Sequence, residues 1–306
     1  MPLEGKVDLT NPECTFSVLF DYGEIITKDK NRPPSRVFFG TLVGYTNRSL
    51  MDKYDLKKRL YIGTTSMDAQ LSLIMANMAQ VKKGSLVYDP FVGTGGIFLA
   101  AAAFGGYVVG SDIDGRQIRG KSMEEANSPG ERPLCLLSNV EQYKLNKQVF
   151  GLCVFDITQH PWRLHSWLDA IMTDPPYGVR AGARKIGSLA ETIVPRSLKP
   201  QVRCTLYPMT VVYPTSNVIS DLLNFAAIHL KIGGRLVYWL PHLAEEDLEE
   251  FSHPSLQLKH SCEQVFSAWS RTLITMEKIS HNLDAVCTAT RSDHFRASYF
   301  KLSVAE

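Results

Sequence analysis

The stretch Val87-Tyr88-Asp89-Pro90-Phe91-Val92-Gly93-Thr94-Gly95-Gly96 constrains the fold most. It reads as a buried strand ending in a carboxylate, a glycine turn, and then an apolar helix over residues 97–104. Glycine lets backbone approach a ligand where a Cβ would stand in the way. About 20 residues further on, Val108-Val109-Gly110-Ser111-Asp112 forms a second strand ending in a carboxylate, suited to accept from ribose hydroxyls. A glycine turn alone is weak evidence. Its combination with an acidic strand end and with Ile171-Met172-Thr173-Asp174-Pro175-Pro176-Tyr177-Gly178 is specific.

Two further carboxylates repeat the pattern. Residues 151–156 end in Asp156, and residues 167–173 lead to Asp174. Any one of these acids is explained as a helix cap or a turn residue. Asp89, Asp112, Asp156 and Asp174 at the ends of four successive strands point instead to the ligand-binding edge of an open α/β sheet.

Around this centre, residues 1–45 carry short β-type pieces at 15–20 and 36–43, separated by a charged, proline-containing loop. Residues 46–60 read as a linker, charged and to some extent helical. Gly63-Thr64-Thr65-Ser66-Met67-Asp68 leads into a helix with Leu71, Ile74, Met75 and Met78 at helical spacing. Backbone donors near Thr65 and Ser66 suit a carboxylate, and a plain helix cap explains them equally well. A helix is predicted over 114–126, whereas 134–147 is poorly patterned. Residues 180–214 are long, basic and without a period, as functional or mobile loops are. An amphipathic helix over 218–230 follows. Gly233-Gly234 then leads into a strand over 235–240, and residues 262–266 and 271–278 fit a closing antiparallel pair. Periodicity stops at Ser280, so 279–306 reads as a poorly ordered tail.

Composition narrows the class. An apolar fraction of 44% with 21% charged residues is that of a soluble globular chain. A net charge of +2 means that any phosphate-binding charge must be local. The first residues lack the apolar core of a signal peptide, and no apolar run reaches membrane length, so a cytoplasmic protein is expected. The six cysteines form no C-x-x-C pair, which argues against a zinc site and for reduced, mostly buried thiols.

With these motifs in place, the chain resembles the class I S-adenosylmethionine-dependent amino-methyltransferases, recognisable by Asp174-Pro175-Pro176-Tyr177. More narrowly, Thr65-Ser66-Met67-Asp68-Ala69, the segments 89–96 and 174–178, Asp112-Ile113-Asp114 and the segment 233–241 resemble the catalytic subunits of eukaryotic tRNA guanosine-10 N2-methyltransferases. The resemblance implies a Rossmann-like, mostly parallel seven-stranded sheet with an antiparallel C-terminal strand over 61–278. Residues 1–45 look like the last strands of a THUMP domain, so the chain reads as a shortened form.

The resemblance also implies the site. Asp174, Pro175, Pro176 and Tyr177 are the expected catalytic residues. S-adenosylmethionine is expected against Thr65, Ser66, Asp89, Phe91, Gly93, Thr94, Gly95, Asp112, Ile113, Asp156, Ile157 and Asp174, with Asp114 a neighbour. The substrate is expected to meet Tyr177, Gly178, Arg180, Arg184 and Lys185, and the basic loop continues through Arg196, Lys199 and Arg203. No metal site is expected in this chain. The implied partners are tRNA and a small zinc-containing activator subunit. The alternatives are adenine-N6 methylation of DNA or RNA, and a catalytically idle form that binds only cofactor or partner.

Overall fold

In the computed structural model, residues 7–23, 33–120, 134–176, 183–187, 210–242, 252–266, 269–282 and 287 are described. The chain divides into two units, Met1–Leu50 and Met51–Glu306.

In the first unit, β1 (Phe16–Asp21) pairs antiparallel with β2 (Arg36–Thr41), in a register from Phe16 opposite Thr41 to Asp21 opposite Arg36. The rings of Phe16 and Phe39 stack with centroids 5.6 Å apart, and Arg36 pairs with Asp21 at 2.7 Å. Leu19, Phe20, Phe38 and Phe39 remain exposed. Two strands cannot bury the apolar residues they carry.

The second unit begins within a short helix, α1 (Ser49–Tyr54), and is built on alternating strands and helices. Its elements are α2 (Ala69–Met78), β3 (Leu86–Asp89), α3 (Gly96–Ala103), β4 (Tyr107–Asp112), α4 (Gly115–Arg119), α5 (Leu136–Gln142), β5 (Val149–Val154) and β6 (Leu168–Thr173). After them come the short strands β7 (Arg184–Ile186) and β8 (Thr210–Val212), then α6 (Thr215–His229), β9 (Leu230–His242), β10 (Leu256–Val265) and β11 (Ser270–Lys278).

Seven strands form one sheet in the order β10-β11-β9-β6-β3-β4-β5. Pairing is parallel from β9 through β5, and β11 runs antiparallel to both its neighbours. This is a Rossmann-like, doubly wound sheet with the expected reversed C-terminal strand. Because strand side chains alternate, the two faces of each strand meet different helices. Tyr88, Ile171 and Leu236 pack with Ile219, Leu222 and Phe225 of α6. Val87 and Met172 face the other way, toward Ile97, Phe98 and Ala101 of α3.

Three local findings differ from the sequence reading. Helix α5 lies inside the stretch that lacked a pattern. The strand carrying Gly233-Gly234 starts earlier, at Leu230. Its pairing jumps from Leu168–Leu230 to Ala170–Arg235, so residues 231–234 bulge. Gly233 is left-handed there (φ 78°), and a Cβ on Gly234 would stand 2.9 Å from the Lys231 carbonyl. Glycine is what this bulge requires. The described cysteines are unpaired as expected, yet only Cys287 is buried. Cys14 and Cys262 are exposed because they lie in the coil before β1 and on the outermost strand β10. Residues 121–133, most of the predicted 114–126 helix, lie outside the described residues, as does 288–306 of the predicted tail. Among the described residues no helix is long and apolar enough to cross a membrane.

At the sheet edge away from the carboxylates, His229 is fully buried. Its Nδ1 accepts from the Trp167 indole N–H at 3.2 Å, and its ring lies against His160, centroids 5.0 Å apart. Burial first, then the nearby His160, pushes the His229 pKa down to about 4. The unfolded chain binds this proton more readily, so His229 makes stability rise with pH between about 4 and 6.5. His229→Gln removes that contribution. Its melting temperature is expected to fall relative to the parent's as pH rises across this window, and parallel profiles would refute the assignment.

Candidate active site

The site is built on the carboxyl ends of β3, β4, β5 and β6. Asp89 is the last residue of β3 and Asp112 the last of β4. Asp174 follows β6 directly, and Asp156 stands two residues beyond β5. Parallel pairing therefore brings four carboxylates separated in sequence to one edge.

Asp89 is buried, 3% exposed, as is Asp156. Its Oδ1 accepts from the Thr173 hydroxyl at 2.7 Å and from the Phe91 amide at 3.1 Å. The first bond joins the glycine-turn motif to the strand that delivers Asp174-Pro175-Pro176. Burial pushes the Asp89 pKa up to about 7. The Thr173 and Phe91 bonds oppose the rise, while the negative fields of Asp112 and Asp174 add to it.

The turn after β3 is left-handed at Gly93 (φ 48°) and Gly95 (φ 85°). Asp112 fixes it: Oδ2 accepts from the Gly93 amide at 2.9 Å and Oδ1 from the Asp114 amide at 2.8 Å. Burial raises the Asp112 pKa against these bonds. A Cβ on Gly95 would meet Leu136 at 2.9 Å, so α5 also closes on the turn. Ile113 is half-buried beside Asp112, and the Asp114 carboxylate caps α4 and pairs with Arg116.

The 63–68 loop reaches the same turn. Ser66 Oγ lies 2.7 Å from Thr94 Oγ1 and accepts from the Gly63 amide at 2.8 Å. Asp68 caps α2 by accepting from Gln70 and Leu71, so those amides are already engaged. Thr65 is exposed and Ser66 half-buried. Asn139 of α5, which sequence reasoning missed, is fully buried. Its Oδ1 accepts from the Tyr61 amide at 2.8 Å, and its Nδ2 donates to the Tyr61 carbonyl at 2.7 Å. The signal was a polar residue inside the run Leu136-Leu137-Ser138-Asn139-Val140.

Asp156 is buried and holds two backbone amides, Thr158 at 2.9 Å and Ile186 at 2.6 Å. Ile157 is buried beside it. The strand β7, a few residues beyond the Asp174 turn, is thus tied to the β5 end of the site. The β7–β8 pair also engages one of the expected substrate cations: Arg184 donates to Thr210 Oγ1 at 2.6 Å and to the Thr210 carbonyl at 2.8 Å. Lys185 lies 5.6 Å from the Tyr213 ring centroid. Tyr213 itself is buried and donates to Asp221 of α6, which together with burial raises its pKa. Tyr177, Gly178, Arg180, Arg196, Lys199 and Arg203 lie outside the described residues.

The raised Asp89 pKa has a sign opposite to that of His229. Between 3.8 and about 7 the native state holds a proton that the unfolded chain releases, so this carboxyl makes stability fall as pH rises. Asp89→Asn keeps an oxygen for Thr173 and Phe91 but cannot titrate. Its melting temperature is expected to climb from pH 4 to 6.5, where the parent profile is flatter. A profile parallel to the parent's would show that Asp89 does not titrate in this range.

Residues 57–203 match the UPF0020 family model, described as an RMKL-like methyltransferase domain. The human tRNA (guanine(10)-N(2))-methyltransferase TRMT11 is 43% identical over 310 residues, covering 96% of this chain and 65% of the human protein. The chicken TRMT11 is 41% identical, covering 98% of this chain and 68% of its own length. The tRNA (guanine(10)-N(2))-methyltransferase of Saccharomyces cerevisiae is 36% identical, covering 97% and 69%. The chain thus spans about two thirds of these relatives, and within that span it belongs to the tRNA (guanine(10)-N(2))-methyltransferase family.

Proposed function

We propose that the chain transfers a methyl group from S-adenosylmethionine to the exocyclic N2 amine of a guanosine in tRNA, at position 10 by analogy with its relatives. The observation that carries this reading is the Thr173–Asp89 hydrogen bond, because it holds the Asp174-Pro175-Pro176 segment against the glycine turn.

The residues fit such a cofactor. The left-handed glycines 93 and 95 leave backbone without a Cβ. Acceptors stand at two adjacent strand ends, which suits ribose hydroxyls at Asp112 and an adenine amine at Asp156. Each of their oxygens already takes one amide and keeps a second lone pair for a ligand. Gly93, Thr94 and Gly95 would line the methionine portion, with Ser66 and Thr65 at its carboxylate, Ile113 and Ile157 as apolar neighbours, and Phe91 alongside.

S-adenosylmethionine supplies an electrophilic methyl group. The protein's task is to make a poor nucleophile attack it, since the guanine amine lone pair is delocalised into the ring. Asp174 accepts one amine hydrogen and the Pro175 carbonyl the other, which favours a tetrahedral nitrogen with a directed lone pair. The two prolines fix φ and bring no competing N–H into the turn. Tyr177 would stack on the extruded base, worth about 1–3 kcal/mol, against an unstacking cost of a few kcal/mol. Alignment provides much of the remaining acceleration. The amine proton leaves to Asp174 or to water after the N–C bond forms.

Residues 1–45 are read as the end of a THUMP-like domain, and 61–278 as the catalytic domain. For the proposed zinc-containing activator subunit, the seven-stranded sheet ends among the described residues in β5 and β10. On β5, Phe150 is exposed, and on β10, Leu258 and Val265 are exposed.

The test is transfer from labelled S-adenosylmethionine to unmodified tRNA in the presence of the activator, with nucleoside analysis of the product. N2-methylguanosine is expected, and N6-methyladenosine would replace the assignment with the adenine reading. Asp174→Ala is expected to abolish transfer with a much smaller loss of cofactor affinity. Near-parental methylation by that variant would remove Asp174 from the mechanism.

A further inference from the structure

The hairpin β10–β11 turns over at the same end of the sheet as the candidate site. Thr173 pairs with Tyr238 and Tyr238 with Ile274, so these three form one row across β6, β9 and β11. Beyond that row, in the same direction, lie Asp174 after β6, Trp239 on β9 and Arg271 on the reversed strand β11. Trp239 shares a sheet face with Val237, which pairs with Met172, the residue facing α3. Arg271, opposite Pro241, is on this face too. Two strand spacings of about 4.8 Å separate β6 from β11, so Arg271 stands roughly 10 Å to the side of the Asp174 turn.

The Arg271 side chain is half-buried and held from several sides. Its Cζ lies 4.3 Å from the ring centroid of Trp239, which is buried, and 5.7 Å from that of Phe266, which is exposed. Its Nε donates to Gln264 Oε1 at 2.9 Å. Phe266 stacks in turn on Trp269, centroids 4.5 Å apart and planes 18° apart, and the Phe266 amide donates to the Trp269 carbonyl at 2.9 Å to close the turn. Among the described residues no carboxylate pairs with this guanidinium. The nearest acid along β10, Glu263, stands opposite Thr272 on the other face, 3.8 Å from His242. An ordinary surface arginine moves freely and is neutralised by solvent. Here two rings and an amide fix a fork whose charge has no protein counter-ion, and little entropy is left to lose when an anion engages it.

We propose that the tip of the β10–β11 hairpin is a substrate subsite for an RNA nucleotide flanking the methylated one: the Arg271 fork takes a backbone phosphate, and the Phe266–Trp269 pair stacks on a base. This rests on the tRNA reading above and adds to it a contact outside the Asp174-Pro175-Pro176-Tyr177 segment. A fixed guanidinium suits a phosphate, and an exposed ring beside it suits a base face without regard to sequence. Extrusion of the target base unstacks its neighbours, and a platform to the side of the Asp174 turn offsets part of that cost. The contact is local, as the small net charge of the chain requires.

The test measures binding of a dye-labelled, unmodified tRNA transcript by anisotropy at several salt concentrations, with the activator present, and binding of S-adenosylhomocysteine by calorimetry. Arg271→Gln is expected to weaken tRNA about tenfold at low salt and to make the salt dependence shallower by about one counter-ion. Arg271→Lys keeps the charge without the fork, so the salt dependence is retained and the affinity falls between Arg271→Gln and the parent. Phe266→Leu keeps an apolar side chain at the tip, and is expected to weaken tRNA about fivefold or more with the salt dependence unchanged. All three should hold S-adenosylhomocysteine within about twofold, which shows that the fold is intact. Parental tRNA affinity in Arg271→Gln and Phe266→Leu overturns the proposal, as do equal losses for both ligands. Weakened association with the activator at parental tRNA affinity overturns it too, and makes the tip a protein-docking surface. A parent that binds tRNA but forms no N2-methylguanosine overturns the reaction reading alone, and one that binds no tRNA overturns both.

Discussion

Asp89 is the constraint on which the site depends. A carboxylate at the end of a buried parallel strand loses its hydration, and that loss is tolerated only because Thr173 and Phe91 donate to it. The Thr173 bond has a second consequence. It crosses from β3 to its neighbour β6 and fixes where the following residue, Asp174, leaves the sheet. Asp112 does the same on the neighbouring strand β4, holding the Gly93 amide and with it the left-handed turn. The two carboxylates are thus structural before they are chemical: each positions backbone that a ligand then meets.

Burial explains the opposed pH trends of Asp89 and His229, which lie at opposite edges of the sheet. Both groups are buried by one sheet, and burial disfavours the charged form of each. For an acid this raises the pKa and for a base it lowers it. With contributions of opposite sign over nearly the same window, the parent's stability conceals two titrations that single variants expose separately.

What was legible in the sequence was whatever a short local pattern encodes. The glycine turn, the acidic strand ends and Asp174-Pro175-Pro176 signal themselves through residue type and spacing, and parallel topology then gathers them. Contacts that join distant segments were not legible. Asn139 serves the backbone of Tyr61, 78 positions away, and Asp156 serves the Ile186 amide, 30 positions away. Neither partner is marked by its side chain, because in both cases the group recognised is backbone. The bulge at Gly233-Gly234 was half legible: the glycines announce a special conformation, but its place inside a strand follows from the β6 register. Arg59 was hidden differently. Lys57-Lys58-Arg59 reads as solvated charge, and only the fold shows that the third member turns inward.

That inward turn stands out because the neighbouring groups are so well satisfied. Asp89, Asp112 and Asp156 each hold two donors, Asn139 serves both sides of one peptide backbone, and the Ser66 and Thr94 hydroxyls serve each other. Arg59 is less complete: its Nη2 donates to the Tyr54 carbonyl, while Nε and Nη1 are buried without a hydrogen-bond partner. The first turn of α3 likewise has no side-chain acceptor for its amides at the N-cap. Fold and ligand are then complementary in a literal sense. Backbone and carboxylates satisfy what the chain can satisfy alone, and the second lone pairs of Asp112 and Asp156 remain for the donors of a ligand.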